Sequence, residues 1–67
     1  MITLRVNGKL RNLENALDLV SFLEGYGVNL EHVAVGYNGV VLEKEEFRKV
    51  LLKEGDVLEI VRPVGGG

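Results

Sequence analysis

Two Asn-Gly dipeptides, Asn7-Gly8 and Asn38-Gly39, constrain the fold of this chain more than any other feature of its sequence. The first follows residues 2–6, in which apolar and polar side chains alternate, and the second separates the apolar segments 33–37 and 40–42. Asn-Gly is strongly preferred in the two-residue turns that join neighbouring antiparallel strands. The sequence therefore predicts two tight β-hairpins.

The return strand of the first hairpin, residues 9–13, fits the alternating pattern less well. A two-residue turn pairs Val6 with Lys9 and Leu4 with Arg11, which leaves Leu10 on the opposite face. Either the loop is longer than two residues, or this segment is a half-exposed edge strand.

Between the hairpins the hydrophobic period changes from two to 3.6 residues. Four apolar residues stand at the spacing of an amphipathic helix: Ala16, Leu19, Val20 and Leu23. Asn15 is a favourable N-cap, and Gly27 can adopt the left-handed conformation that ends many helices. We therefore expect a helix at about residues 16–26.

Two further elements are predicted in the last third of the chain. Residues 43–49 are charged apart from one aromatic residue and predict a short helical turn that directs three side chains to the core: Phe47, Val50 and Leu51. After the turn at 53–56, a last strand is expected at 57–61, with Leu58 and Ile60 on one face.

The predicted order is therefore β, β, α, β, β, short helix, β. This order indicates an α+β domain of the β-grasp type, in which a mixed sheet of about five strands wraps around one helix. The first and last strands should lie side by side and parallel at the sheet centre, and five of their side chains should face the helix: Ile2, Leu4, Val6, Leu58 and Ile60. Gly36 inside the third strand indicates either a bulge or a close approach of another part of the backbone.

Length and composition exclude several classes of function. The 67 residues allow one small domain, and they include no Cys or Trp and one His. A disulfide framework and a Cys-based zinc site are excluded, and the composition fits a reducing cytoplasm. The net charge of −2 is spread along the chain, which argues against nucleic acid as a partner, and the apolar runs are too short for a membrane span.

The sequence offers little chemistry of its own. His32 lacks the additional nitrogen or sulfur ligands of a metal site, and Ser21 lacks a positioned base. We predict no catalytic residue, no metal site and no cofactor bound by the chain itself.

The C-terminal sequence Arg62-Pro63-Val64 followed by Gly65, Gly66 and Gly67 has more than one interpretation. Terminal glycines are commonly a mobile end without a function. They also form a thread without side chains, which can enter a channel too narrow for any Cβ and carries a free carboxylate. We predict a β-grasp domain over residues 1–64 and a flexible tail over 65–67.

Several segments together resemble the ThiS family, the sulfur carriers of thiamine biosynthesis. The resemblance covers the whole chain and rests on these sequences: Val6-Asn7-Gly8, Tyr26-Gly27-Val28, Glu31-His32-Val33-Ala34-Val35, Asn38-Gly39, Phe47, Leu51-Leu52-Lys53-Glu54-Gly55-Asp56, Leu58-Glu59-Ile60-Val61 and Arg62-Pro63-Val64-Gly65-Gly66-Gly67. Gly36 and Lys44 depart mildly from the family's pattern.

The resemblance implies a ubiquitin-like β-grasp fold and a carrier that partner enzymes act upon. A ThiF-like adenylyltransferase is expected to use ATP and magnesium to adenylate the Gly67 carboxylate, and a sulfur relay from a cysteine persulfide to convert it to a thiocarboxylate. A ThiG-like thiazole synthase is then expected to accept the sulfur. Gly65 and Gly66 are expected to enter the partners, and the candidate docking residues are Tyr37, Val61, Pro63 and Val64.

Two alternative functions share these features. The small subunit of molybdopterin synthase is another β-grasp sulfur carrier with a Gly-Gly terminus. A ubiquitin-like protein modifier, or a binding module whose tail has no chemistry, is the alternative from a different class.

Overall fold

Both Asn-Gly turns form in the structure, a computed structural model that describes residues 1–62. Asn7 and Asn38 each have a backbone φ of 50°, and the glycines that follow them also have positive φ, as a type I′ turn requires. The strands and helices of the described residues are β1 (Ile2–Val6), β2 (Lys9–Leu13), α1 (Leu19–Tyr26), β3 (Ala34–Tyr37), β4 (Val40–Val41), α2 (Lys44–Phe47) and β5 (Val57–Val61).

The strands form one mixed sheet in the order β2-β1-β5-β3-β4. β1 and β5 run parallel beside each other, and the other neighbours are antiparallel. This arrangement confirms the predicted ubiquitin-like β-grasp, with β5 as the central strand. Within residues 1–62 no helix is long and apolar enough to cross a membrane.

The register of the first hairpin decides between the two interpretations of its return strand. Val6 is paired with Lys9 and Leu4 with Arg11, so the loop has two residues. Leu10 is 64% exposed, which makes β2 the half-exposed edge strand.

The core lies between the sheet and α1. Its buried apolar residues are Leu4, Val6, Leu19, Phe22, Leu23, Val28, Val33, Val35, Phe47, Leu52, Leu58 and Ile60. Ile2 and Val20 are half-buried at its edge, but Ala16 is exposed and does not pack on the sheet as predicted.

The helix begins three residues later than the sequence predicted. Its N-cap is Asp18, whose carboxylate accepts a 3.0 Å hydrogen bond from the backbone N–H of Ser21, and Asn15 does not cap it. The backbone of residues 17–19 is instead paired with residues 50–52: the N–H of residue 52 donates to the carbonyl of residue 17 at 2.9 Å, and the N–H of residue 19 to the carbonyl of residue 50 at 3.0 Å. Because this pairing keeps the backbone before Leu19 extended, the helix cannot begin earlier.

The same pairing corrects a predicted core residue. Leu51 stands opposite Asp18 in the bridge and is 61% exposed, whereas its neighbour Leu52 is fully buried. Adjacent residues of an extended segment point to opposite sides, so only one of these two leucines can face the core. The helical turn predicted at 43–49 is also shorter in the structure, because α2 ends at Phe47.

Gly36 does not mark a bulge. It is paired in regular register with Val41 on one side and Glu59 on the other. A Cβ on Gly36 would lie 3.6 Å from the Cβ and Oε1 atoms of Glu59, an ordinary contact distance. The backbone of Glu59 is no closer than 4.0 Å to that position, so a close backbone approach does not account for Gly36 either.

Candidate functional site

β5 leads directly into the C-terminal sequence on which the functional hypothesis rests. Its last residue, Val61, is paired with Ala34 of β3, and Arg62 is the last described residue. The predicted reactive residue Gly67 and the other predicted tail and docking residues of this segment, Pro63, Val64, Gly65 and Gly66, lie outside the described residues. The structure therefore describes β5, the strand that precedes the tail, and the side chains that hold this strand in place.

The Asn7 side chain holds β5 near its C-terminal end. Its Oδ1 accepts a 2.7 Å hydrogen bond from the backbone N–H of Ile60, and its Nδ2 donates a 3.2 Å bond to the carbonyl of the same residue. Both groups are partly buried. One side-chain amide thus satisfies both backbone groups of Ile60 on the β1 side.

The position of this contact follows from the parallel pairing of β1 and β5. The backbone N–H of Arg5 donates to the carbonyl of Asp56, and that of Asn7 donates to the carbonyl of Leu58. The next residue of β5 whose backbone faces β1 is Ile60, because alternate residues of a strand face the same neighbour. β1 has turned away at Asn7-Gly8, and the side-chain amide takes the place of the missing peptide group.

A second asparagine holds the opposite end of β5. The backbone N–H of Asn38 donates to the carbonyl of Val57 at 2.9 Å, and Asn38 Oδ1 accepts from the Val57 N–H at 2.8 Å. Its Nδ2 donates to a carboxylate oxygen of Asp56 at 3.2 Å. The two hairpin turns therefore secure both ends of the central strand through the same residue type.

Asp56 is buried, with 3% of its surface exposed, and lies at the N-terminal end of β5. Its carboxylate accepts hydrogen bonds from the Tyr37 hydroxyl at 2.8 Å and the Lys53 backbone N–H at 3.0 Å, in addition to the bond from Asn38. The Lys53 ammonium lies 3.9 Å away. The carboxylate thus accepts three hydrogen bonds and lies near one positive charge.

These contacts move the pKa values of both charged groups. Burial has the largest influence on Asp56 and raises the pKa of its carboxyl, but the bonds from Lys53, Tyr37 and Asn38 and the Lys53 charge outweigh burial and hold this pKa below its ordinary value. The Tyr37 hydroxyl, followed by the Asp56 charge, raises the pKa of the Lys53 ammonium. Asp56 and Lys53 are therefore both ionised at neutral pH, and their contacts act as a structural anchor.

The structure separates two of the predicted docking residues. Tyr37 is paired with Leu58, a core residue, so its side chain lies on the helix side of the sheet and is half-buried there. Val61 lies three residues further along β5, on the opposite face, and is 62% exposed. The two residues do not share a surface, and the Tyr37 hydroxyl is already bonded to Asp56.

Val61 belongs instead to the sheet surface that is turned away from α1, which we call the open face. On β3, β4 and β5 the register places six residues on it: Ala34, Gly36, Val41, Val57, Glu59 and Val61. Four of them carry apolar side chains, and one of these, Val41, is 75% exposed. This apolar surface reaches the point at which the chain leaves the sheet.

A cavity of about 430 Å³ lies on the other side of the sheet, between α1 and α2. Its floor contains Phe47, and its rim carries Lys44, whose ammonium donates to the backbone carbonyl of Glu31. The lining contains no His, Ser or Thr, and His32 is exposed outside it. Within residues 1–62, no three His, Asp or Glu side chains are grouped as metal ligands.

Sequence reasoning missed the contacts of Asn7 and Asn38 with β5. Both residues were interpreted as turn formers only. The available signal was the repetition of Asn at both turns, because Asp and Gly also suit such turns but cannot both donate and accept as a neutral amide does.

The sequence and the fold of this chain are both similar to those of known proteins. A family model described as the ThiS family matches residues 4–67. The crystal structure of a thiamine biosynthesis protein (ThiS) from Geobacter metallireducens is similar, with a TM-score of 0.83, 35% sequence identity, and coverage of 98% of this chain and 100% of that one.

Two further relatives differ in length. The thiazole synthase of Paramagnetospirillum magneticum is 36% identical over 62 residues, which are 92% of this chain and 19% of that protein. This chain spans about a fifth of the thiazole synthases that it matches. The protein ycf40 of Pyropia yezoensis, whose function is uncharacterized, is 33% identical over 98% of this chain and 93% of its own length.

Proposed function

Because the chain belongs to the ThiS family, we propose that it is a sulfur carrier whose Gly67 carboxylate is adenylated, converted to a thiocarboxylate and used as the sulfur donor for the thiazole of thiamine. The chain itself supplies the tail and a docking surface. Partner enzymes supply the catalytic groups, as they do for other carriers of reactive groups.

The observation that carries this proposal is the occurrence of a segment similar to this chain within longer proteins named thiazole synthase. Joining two units in one polypeptide makes their encounter intramolecular and raises their effective concentration. Such a link is useful when one unit must present a group to the other. This supports a thiazole synthase as the acceptor of the sulfur, and it favours the thiamine pathway over the molybdopterin alternative.

The chemistry requires activation of the carboxylate, because direct displacement at a carboxylate must expel oxide. In the proposed cycle the Gly67 carboxylate attacks the α-phosphorus of ATP and pyrophosphate leaves, with magnesium held by the adenylyltransferase. The outer sulfur of a cysteine persulfide then displaces AMP and forms an acyl disulfide between Gly67 and that cysteine. A thiol supplies two electrons and cleaves the S–S bond, which leaves the thiocarboxylate on Gly67 and a disulfide between the cysteine and the thiol.

A thiocarboxylate suits the transfer better than the carboxylate it replaces. Sulfur is larger and more polarizable than oxygen, and the group remains ionised at neutral pH by the reasoning that applies to thiolates. It therefore acts as a soft nucleophile toward the thiazole synthase without help from a side chain of the carrier.

The open face supports a docking role next to this tail. Val61 of β5 and Ala34 of β3 are directly opposite each other. Val61 immediately precedes Arg62, the last described residue. We propose that the adenylyltransferase contacts this part of the open face while Gly65 and Gly66 lead Gly67 to its active site. Tyr37 does not belong to this surface, because it lies on the other face of the sheet.

The proposal is tested by reconstitution with a ThiF-like adenylyltransferase, ATP, magnesium, a persulfide sulfur source and a thiol as reductant. We expect AMP formation and a gain of about 16 Da in the intact carrier, because sulfur replaces one oxygen of a group that is otherwise unchanged. A thiazole synthase added afterwards with the carbonyl substrate that accepts the sulfur should return the carrier to its original mass, because sulfur leaves and oxygen takes its place on Gly67.

A carrier shortened by Gly66 and Gly67 is the matched control, since residues 1–62 are unchanged in it. It should unfold at the same urea concentration as the full chain and form no thiocarboxylate. AMP formation that is independent of these two residues, or no mass change in the full chain, contradicts the proposal. Sulfur transfer to a pterin-processing enzyme but not to thiazole synthase supports the molybdopterin alternative.

A further inference from the structure

Asn7 makes two hydrogen bonds that the turn itself does not need. A type I′ turn requires only positive φ at this position, and Gly satisfies that requirement as well as Asn. The bonds to Ile60 nevertheless use both the acceptor and the donor of the side-chain amide, at 2.7 and 3.2 Å. They join positions 53 residues apart in the sequence, at the last point where β5 can be held from the β1 side.

We propose that Asn7 is a positioning residue for the tail: its amide fixes Ile60, and so sets the place and direction from which the chain continues through Val61 and Arg62 to Gly67. This inference rests on the proposed carrier function. Asn7 acts through β5 and does not itself contact the reacting carboxylate.

The physical reason is the cost of ordering a chain that must enter a partner. Each residue fixed on docking loses conformational entropy, and residues already fixed in the free carrier lose less of it. Beyond Ile60 the strand is held only from the β3 side, where Val61 is paired with Ala34. Releasing Ile60 from Asn7 therefore loosens the segment that joins the folded domain to the tail, and the partner must order it again.

Asn38 provides a matched control within the same molecule. It has the same φ of 50°, is also followed by Gly, and also accepts a hydrogen bond from a backbone N–H of β5, at Val57. Its contacts lie at the end of β5 that is remote from the tail. Asn38 additionally bonds Asp56, so its replacement should destabilise the fold more than replacement of Asn7.

The test compares Asn7→Gly, Asn38→Gly and the wild-type carrier. Adenylation is measured as AMP formation by a ThiF-like enzyme over a range of carrier concentrations, at a temperature where circular dichroism shows all three to be folded. Asn7→Gly loses two hydrogen bonds, and each loss should raise the KM for the carrier about three-fold. The KM for Asn7→Gly should therefore be about ten-fold higher than that of the wild type. The kcat should stay near the wild-type value, and Asn38→Gly should change KM less than about two-fold.

Amide hydrogen exchange measures the two contacts directly. Exchange at Ile60 should be about ten-fold faster in Asn7→Gly, and exchange at Val57 about ten-fold faster in Asn38→Gly. Asn7→Asp keeps an acceptor for the Ile60 N–H but has no donor for its carbonyl, so its KM should lie between those of the wild type and Asn7→Gly.

The outcomes separate this inference from the proposed function. A wild-type carrier that is adenylated, with an equal KM for Asn7→Gly and Asn38→Gly, overturns the inference alone. A KM for Asn7→Gly at the wild-type value, with faster exchange at Ile60, overturns it as well. No AMP formation with the wild type overturns the proposed function, and the inference with it.

Discussion

The two ends of β5 are held by the same kind of contact in different surroundings. At the N-terminal end, Asn38 bonds Val57 and is joined to a buried carboxylate that also receives bonds from Tyr37 and Lys53. At the C-terminal end, Asn7 bonds Ile60. We call these the anchored end and the delivery end.

Under the proposed carrier function, this difference would let one strand both stabilise the fold and present the tail. The anchored end places a charge in the interior and satisfies it fully, so a change there should lower the free energy of unfolding. The delivery end consists of one side-chain contact beside an exposed apolar residue, Val61. A change there should affect the encounter with a partner more than the stability of the fold.

The first and largest prediction removes the charge at the anchored end. Asp56→Ala leaves the donors of Tyr37, Asn38 and the Lys53 backbone without their acceptor, and it should lower the free energy of unfolding by about 3 kcal/mol. Urea unfolding followed by circular dichroism measures this. The control Glu59→Ala removes the same charge from an exposed position of β5 and should change the free energy by less than about 0.5 kcal/mol. Equal effects of the two substitutions would remove the distinction between the ends.

The second prediction concerns the pH dependence that the same carboxylate produces. The pKa of Asp56 is lower in the folded chain than its ordinary value of 3.8, so the folded state favours the ionised form. Its contribution to stability is complete at pH values above 3.8, decreases as the pH falls below that value, and is lost below the pKa of the folded chain.

Urea unfolding between pH 7 and pH 2.5 tests this, with Asp56→Asn as the comparison. The wild type should lose more stability on acidification than the variant, and the difference between the two should narrow toward low pH. The pKa of Asp18 is also lowered, mainly by the bond from the Ser21 backbone, but Asp18 is present in both proteins and does not affect the difference. A difference that is constant over the whole range contradicts the prediction.

The third prediction removes a single donor from the anchored end. Tyr37→Phe deletes the hydroxyl that donates to Asp56 at 2.8 Å and accepts from Lys53 at 3.3 Å, and it should cost about 1 kcal/mol of unfolding free energy. Tyr26→Phe is the control, because the Tyr26 ring is held by stacking on Phe22, at 5.9 Å between centroids. If both substitutions have the same effect, the hydroxyl of Tyr37 does not contribute to the anchor.

The sequence predicted the element order because each element carries its own local pattern. The alternation in residues 2–6, the two Asn-Gly turns and the helical spacing from Leu19 to Leu23 depend on neighbours in the sequence. Their combination was sufficient for the fold class and for the parallel pairing of the first and last strands.

The errors and omissions arose where distant segments compete with a local pattern. Asn15 is a good N-cap by local rules, but the pairing of residues 17–19 with 50–52 delays the helix to Leu19 and turns Leu51 outward. The bonds of Asn7 to Ile60 span 53 positions, and no periodicity reports such a contact. The contacts that hold the C-terminal end of β5 could therefore not be predicted from the sequence.

The last and smallest effect on stability is expected at Val61, at the delivery end. Val61→Thr keeps the branched shape that favours a strand and replaces one exposed methyl with a hydroxyl, so the free energy of unfolding should change by less than about 0.5 kcal/mol. If the open face beside the tail contacts the adenylyltransferase, the KM for the carrier should nevertheless rise by about three-fold, the effect of losing most of one buried methyl group. Val57→Thr makes the same change on the same face at the anchored end and should leave the KM unchanged. A larger rise in KM for Val57→Thr than for Val61→Thr would place the partner at the anchored end of β5. That result would contradict the distinction between the two ends.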